Sequence, residues 1–142
     1  MTPLVTHGRD QRQDAARFCT HCGVVTDDAP QRVCESCGMG IVLHCARDAA
    51  PRPGAAFLVV TTDLRVTAAS LSASAVFGAD PNGQSLLDLV RGDGALPRQV
   101  ARAAMGSRKA TTAWVRTGEH GRPFRARIVA CGDPPAALVV LS

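Results

Sequence analysis

From residue 55 onward, short apolar runs alternate with polar breaks, a regularity that residues 1–16 lack. AAFLVV is a continuous apolar run of strand length, and Thr61, Thr62 and Asp63 supply turn chemistry before LRVTAAS, so the two segments read as a hairpin. SLSASAVFG sets Leu71, Ala75 and Val76 at helical spacing, with Ser70 as cap and Gly78 as stop. Ser85 caps a second short helix, SLLDLV. In LPRQVARAAMG, Leu96, Val100, Ala103 and Ala104 form one stripe, with Pro97 in the first turn and Gly106 at the end. TTAWVRT, PFRARIVA and AALVVLS then read as strands joined by GEHGR and GDPP. The predicted order is two strands, a helical middle and three strands.

A chain of 142 residues has room for one ordinary domain and one very small unit, and a metal staple is the usual way to be that small. Composition divides the chain accordingly. Residues 1–16 are a flexible lead-in, and residues 17–45 hold two cysteine pairs. ARDAAPRPG at 46–54 reads as a linker because Pro51, Pro53 and Gly54 resist regular structure. Residues 55–142 form the larger unit.

The charged residues are mostly Arg and Asp, a bias typical of GC-rich bacterial genomes. The formal net charge of +4 is unevenly spread. Up to residue 54, six arginines balance six acidic residues, so the excess lies downstream and concentrates between Arg98 and Arg127. No run of about 20 apolar residues is present to span a membrane. MTPLVTHGRDQRQDAAR is polar where a signal peptide needs an apolar stretch, so the expected location is cytoplasmic with no membrane contact. Reducing conditions there disfavour disulfides, which turns attention to metal.

The pairs are CTHC at 19–22 and CESC at 34–37, separated by eleven residues. Two residues between cysteines let one tight turn present both sulfurs to the same ion, and zinc takes four such donors tetrahedrally. Gly23 and Gly38 follow the second cysteine of each pair, where a sharp turn favours a residue tolerant of positive φ. Cys19, Cys22, Cys34 and Cys37 are therefore the expected ligands of a structural Zn2+. Iron of the rubredoxin kind would use the same four thiolates. His21 is expected to point outward, and His44 and Cys45 are the substitutes should one sulfur not ligate. Residues 17–45 resemble the zinc-ribbon superfamily, which implies a short β-hairpin arrangement. With no basic excess and Phe18 as its single aromatic residue, this segment suits protein docking better than nucleic acid.

FLVVTTDLRVTAAS, SAVFG and GQSLLDLV, followed by the three closing strands, resemble a PAS domain over residues 55–142. In many PAS domains an asparagine precedes the first helix, whereas this chain reads Ala69, Ser70, Leu71, Ser72. The resemblance implies an α+β fold: a five-stranded antiparallel sheet with helices on one face, enclosing a ligand pocket or offering a surface to partners. The expected pocket residues are Phe77, Leu86, Leu89, Trp114 and Phe124, with ordinary core packing as their simpler role. Neither flavin photochemistry nor haem is expected. Cys45 and Cys131 lie outside the helical middle, and His120 falls in the GEHGR turn. Cys131 is expected as a buried thiol.

Alternation in PFRARIVA puts Arg125 and Arg127 on one strand face, opposite Phe124, Ala126 and Ile128. With Arg116 they form a candidate basic face. The expected function is thus a non-catalytic sensor or adaptor, signalling through protein–protein interaction. Its partner is a protein, a homodimer through the PAS-like unit being one form, with a small-molecule ligand as a further expectation. A nucleic-acid-binding regulator using the basic face and a zinc–thiolate redox switch are the alternatives. No recognisable nucleophile motif supports an enzyme.

Overall fold

The computed structural model describes residues 15–26, 33–34, 37–92, 94–117 and 121–142. The lead-in up to residue 14 and the centre of the GEHGR turn, with His120, lie outside the described residues. The four-cysteine segment, called the ribbon below for its two cysteine turns, contributes β1 (Ala15–Cys19), β2 (Val25–Thr26) and β3 (Val42–Ala46). A 3-10 turn at Arg47–Ala49 leads to β4 (Ala56–Val60) and β5 (Val66–Ala69). The helical middle holds α1 (Leu71–Phe77), α2 (Leu86–Leu89), β6 (Arg91–Gly92) and α3 (Leu96–Ala104). The chain closes with β7 (Thr111–Arg116), β8 (Pro123–Cys131) and β9 (Ala136–Leu141).

All strand pairs are antiparallel, and the path runs β2-β1-β3-β8-β9-β4-β5, with β7 on β8 and β6 on β7. Within it, β5-β4-β9-β8-β7 is the five-stranded antiparallel arrangement expected for the larger unit. The ribbon does not stand apart from this sheet. The outer edge of β8 pairs with β7 as far as Ile128, and at Cys131 it pairs with Cys45 of β3. Ala15 and Ala16, placed in the lead-in by composition, pair with Ala46 and Cys45 in β1. In the stretch expected as a linker, Ala49 is buried together with Phe18 and Phe57.

Side-chain pattern and coverage agree strand by strand. In β4, Leu58 and Val60 face the core beneath the helices, whereas Phe57 and Val59 face a second core beneath the ribbon. In β9, Val139 and Leu141 face the helices and Leu138 faces the ribbon. A strand covered on both faces has no polar side to show, which is why both read as unbroken apolar runs. β7 is covered on one side only, so Ala113 and Val115 go inward while Thr112, Trp114 and Arg116 go out. β8 changes mid-strand. Arg125 is exposed on its outer face, but farther along that face Val129 and Cys131 are buried under the ribbon.

Local chemistry fixes the helix ends. Ser70 Oγ accepts from Ala73 N at 3.2 Å, capping α1, and also accepts from Phe57 N at 3.0 Å while donating to Ala55 O at 3.0 Å. One buried hydroxyl therefore ties the first helix to the first core strand. Ser85 Oγ caps α2 by accepting from Leu87 N at 3.4 Å.

The ribbon grips the sheet through Phe18, whose ring meets Phe57 edge-on, with centroids 5.4 Å apart and planes at 88°. Both rings are fully buried. In urea unfolding, Phe18→Ala and Phe57→Ala should each cost about 3–5 kcal/mol. The double variant should fall short of additivity by about 0.5–1.5 kcal/mol. Fully additive losses would mean that the ribbon and the sheet unfold without reference to each other.

Candidate metal centre

Each cysteine pair closes a turn of the same form. Gly23 N donates to Cys19 O at 3.1 Å and Gly38 N donates to Cys34 O at 2.8 Å. The glycines take φ of 76° and 69°, in the left-handed region that residues with a Cβ enter at a cost. Strand β1 delivers Cys19. Cys34 is held by its own N–H donating to Gly40 O at 2.9 Å. The two turns are locked together by Thr20, whose N–H donates to Ile41 O at 2.9 Å and whose hydroxyl accepts from Ile41 N at 3.1 Å.

The four sulfurs of Cys19, Cys22, Cys34 and Cys37 lie within 4.8 Å of one another. Cys19 Sγ is 3.6 Å from Cys37 Sγ, and Cys22 Sγ is 3.8 Å from Cys34 Sγ. A tetrahedron of Zn–S bonds of about 2.3 Å has edges of about 3.8 Å, so the cluster has the size of a four-thiolate shell. Backbone amides already point at the sulfurs. His21 N and Cys22 N donate to Cys19 Sγ at 3.3 and 3.4 Å. Hydrogen bonds from the amides of Met39 and Gly40 bring the Cys37 thiol down to about 6, whereas burial raises those of Cys19 and Cys22. Four sulfur corners leave no open position for water or substrate, so the arrangement can hold a metal but offers it no catalytic vacancy.

Gly40 is a site residue that motif spacing did not single out. A Cβ there would fall on Cys19 Sγ and within 2.8 Å of His21 Cβ. The second turn can therefore approach the first sulfur only because this position carries no side chain. The sole signal in the sequence is a glycine two residues past Gly38 with no turn of its own to serve.

His44 is exposed, Cys45 is buried at the seam with β8, and neither belongs to the sulfur cluster, nor does His21. Leu86 is buried in the core beneath the helices, with Phe77, Leu89 and Phe124 packed partly buried against it. Trp114 does not join them. It is 64 % exposed on the opposite sheet face, because its neighbours Ala113 and Val115 occupy the inward positions of β7. There it sits opposite Arg125, and Arg116 sits opposite Arg91; Trp114, Arg116 and Arg91 line a surface groove of about 630 Å³. Arg127 points to the same face but is half-buried, donating to the backbone carbonyl of Asp48. The expected basic face is thus divided: Arg116 and Arg125 are exposed, and Arg127 is occupied in holding the 3-10 turn.

No protein-family model matches the chain, and no curated protein matches it. Among solved structures, the chain is similar to the crystal structure of the PAS domain of nitrogen regulation protein NR(II) from Vibrio parahaemolyticus. The match has a TM-score of 0.48 at 20 % identity, covering 63 % of this chain and 88 % of that one. Among the described residues no helix is long and apolar enough to cross a membrane.

Purified protein should carry one tetrahedral metal ion per chain by elemental analysis, and Cys→Ser at position 19, 22, 34 or 37 should abolish it. Gly40→Ala should weaken metal retention against a competing chelator by about 10–100-fold, the usual effect of disturbing what positions a ligand. Unchanged retention in Gly40→Ala would mean that the two turns do not need their close approach.

Proposed function

We propose that the protein is a non-catalytic sensor or adaptor. Its ribbon, stapled by a structural zinc ion, is the docking element, and its PAS-like unit recognises a ligand or a protein. The observation that carries this reading is how the ribbon divides its apolar side chains. Phe18 is buried against the sheet, whereas Val33, Met39 and Ile41 are 58, 75 and 55 % exposed. Val33 and Ile41 are opposite each other in an isolated antiparallel bridge, so their side chains share a face. Apolar groups held at the surface by a rigid metal-clamped turn suit an apolar patch on a protein partner. A second copy of the chain is one such partner, and Phe77, Leu86, Leu89 and Phe124 are where a small ligand would enter the PAS-like unit. The closed thiolate shell and the absence of a nucleophile motif support a non-catalytic role.

A second reading, nucleic-acid binding, is favoured by one feature of the sheet. Trp114 is exposed between Arg91, Arg116 and Arg125, which is the combination of stacking surface and positive charge that single strands use.

Replacing Met39 and Ile41 together by Glu should weaken binding to a protein partner captured by the wild type more than tenfold, with metal content and thermal stability unchanged. If the same partners bind the variant equally well, the ribbon is not the docking element. For the second reading, single-stranded RNA affinity should fall steeply between about 50 and 200 mM salt. It should also drop by about 1–3 kcal/mol in Trp114→Ala. Binding indifferent to both would leave the basic face as ordinary solvated surface.

A further inference from the structure

The two cysteines outside the metal cluster meet where the ribbon joins the larger sheet. Cys45 on β3 and Cys131 on β8 are directly opposed, and theirs is the only register pair between these strands among the described residues. Gly132 N donates to His44 O at 2.8 Å, one residue beyond and one before the pair. That bond flanks the two cysteines rather than linking them, so theirs is a non-hydrogen-bonded pair, the kind with the closer backbone approach. The Cα–Cα separation in such pairs is about 4.5 Å. Disulfides span Cα separations of about 4.4–6.8 Å, and opposed residues point to the same side of the sheet. Both residues are unbridged thiols packed into the same core as Phe18 and Phe57. They are nevertheless reachable. A cavity of about 450 Å³ opens onto both, walled also by His44, Arg108 and Pro135.

We propose that Cys45 and Cys131 form a redox-modifiable cross-strand dithiol, which a hydroperoxide entering this cavity converts to a disulfide that locks the ribbon onto the sheet. One thiol attacks the peroxide, breaking its O–O bond and forming a sulfenic acid with release of water or alcohol. The second thiol displaces the sulfenic oxygen as water, forming the S–S bond. Two electrons and two protons pass from the pair to the oxidant. Burial pushes Cys45 up to about 11 and Cys131 up to about 12, so both are neutral thiols near pH 7. Only sustained oxidant should therefore close the bond. The cross-link would span residues 45 to 131 and so join both ends of the PAS-like unit's chain to the ribbon.

The test uses metal-loaded full-length protein exposed to hydrogen peroxide, followed by blocking of free thiols and tryptic mapping. Intact protein should lose about 2 Da, the two hydrogens given up in one disulfide. Peptide 128–142, whose single cysteine is Cys131, should appear linked to peptide 33–47, with fragmentation placing the bond at Cys45 rather than at Cys34 or Cys37. The melting temperature should rise by about 5–10 °C and return on reduction. Cys131→Ala and Cys45→Ala should each remove the linked peptide and the rise while keeping the bound metal. The proposal is overturned if Cys131 stays reduced until the metal is lost, if it is found only as sulfinic acid, or if it links to Cys34 or Cys37. Because the bond is located in the wild-type protein, the result stands even where a variant folds poorly.

Discussion

Four sulfurs within 4.8 Å of one another cannot all be charged unless a cation sits among them, because like charges at that range repel strongly wherever water is thin. The rest of the ribbon is arranged around satisfying that demand. The amide-to-sulfur bonds, the paired turns at Gly23 and Gly38, and the Thr20 link to Ile41 all bring the sulfurs together. In doing so they fix the direction of β1. Phe18 immediately precedes Cys19, so the same geometry that seats the first ligand drives an aromatic ring into the outer face of the sheet, against Phe57. A lobe this small has little core of its own, and what it has is shared with its neighbour.

Much of this was legible from residue order. The two cysteine pairs, their glycines, the caps Ser70 and Ser85 and the strand–helix–strand progression each depend on chemistry within a few residues, and each lies where the pattern placed it. The unbroken runs AAFLVV and AALVVLS also encode a second covering layer. They are apolar throughout because helices cover one face and the ribbon covers the other, while TTAWVRT alternates because, among the described residues, its far side is left exposed. Read this way, alternation along a strand is a map of where the second layer stops, and in PFRARIVA the change occurs within one strand, after Arg127.

What was not legible depends on contacts between distant segments. Trp114 is apolar like the expected pocket residues, but the alternation of its own strand points it outward. That same alternation puts Arg127 on the face of Arg125, yet it lies under the 3-10 turn and serves Asp48. Cys45 and Cys131, 86 positions apart in the chain, carry no local signal of being opposed. Gly40 matters through a side chain twenty-one residues earlier. In each case the deciding neighbour is remote in sequence, where periodicity and spacing have no reach.

The handover on the outer edge of β8 has one more consequence. A strand edge left bare presents unpaired N–H and C=O groups to any other chain, and it is most adhesive where its side chains are apolar. β7 stops pairing at Ile128, just where β8 turns apolar on both faces, and β3 comes in beyond it at Cys131. The four-cysteine lobe thus shields the stickiest stretch of backbone in the larger unit. If its four sulfurs hold an ion, loss of that ion would threaten solubility as well as local folding.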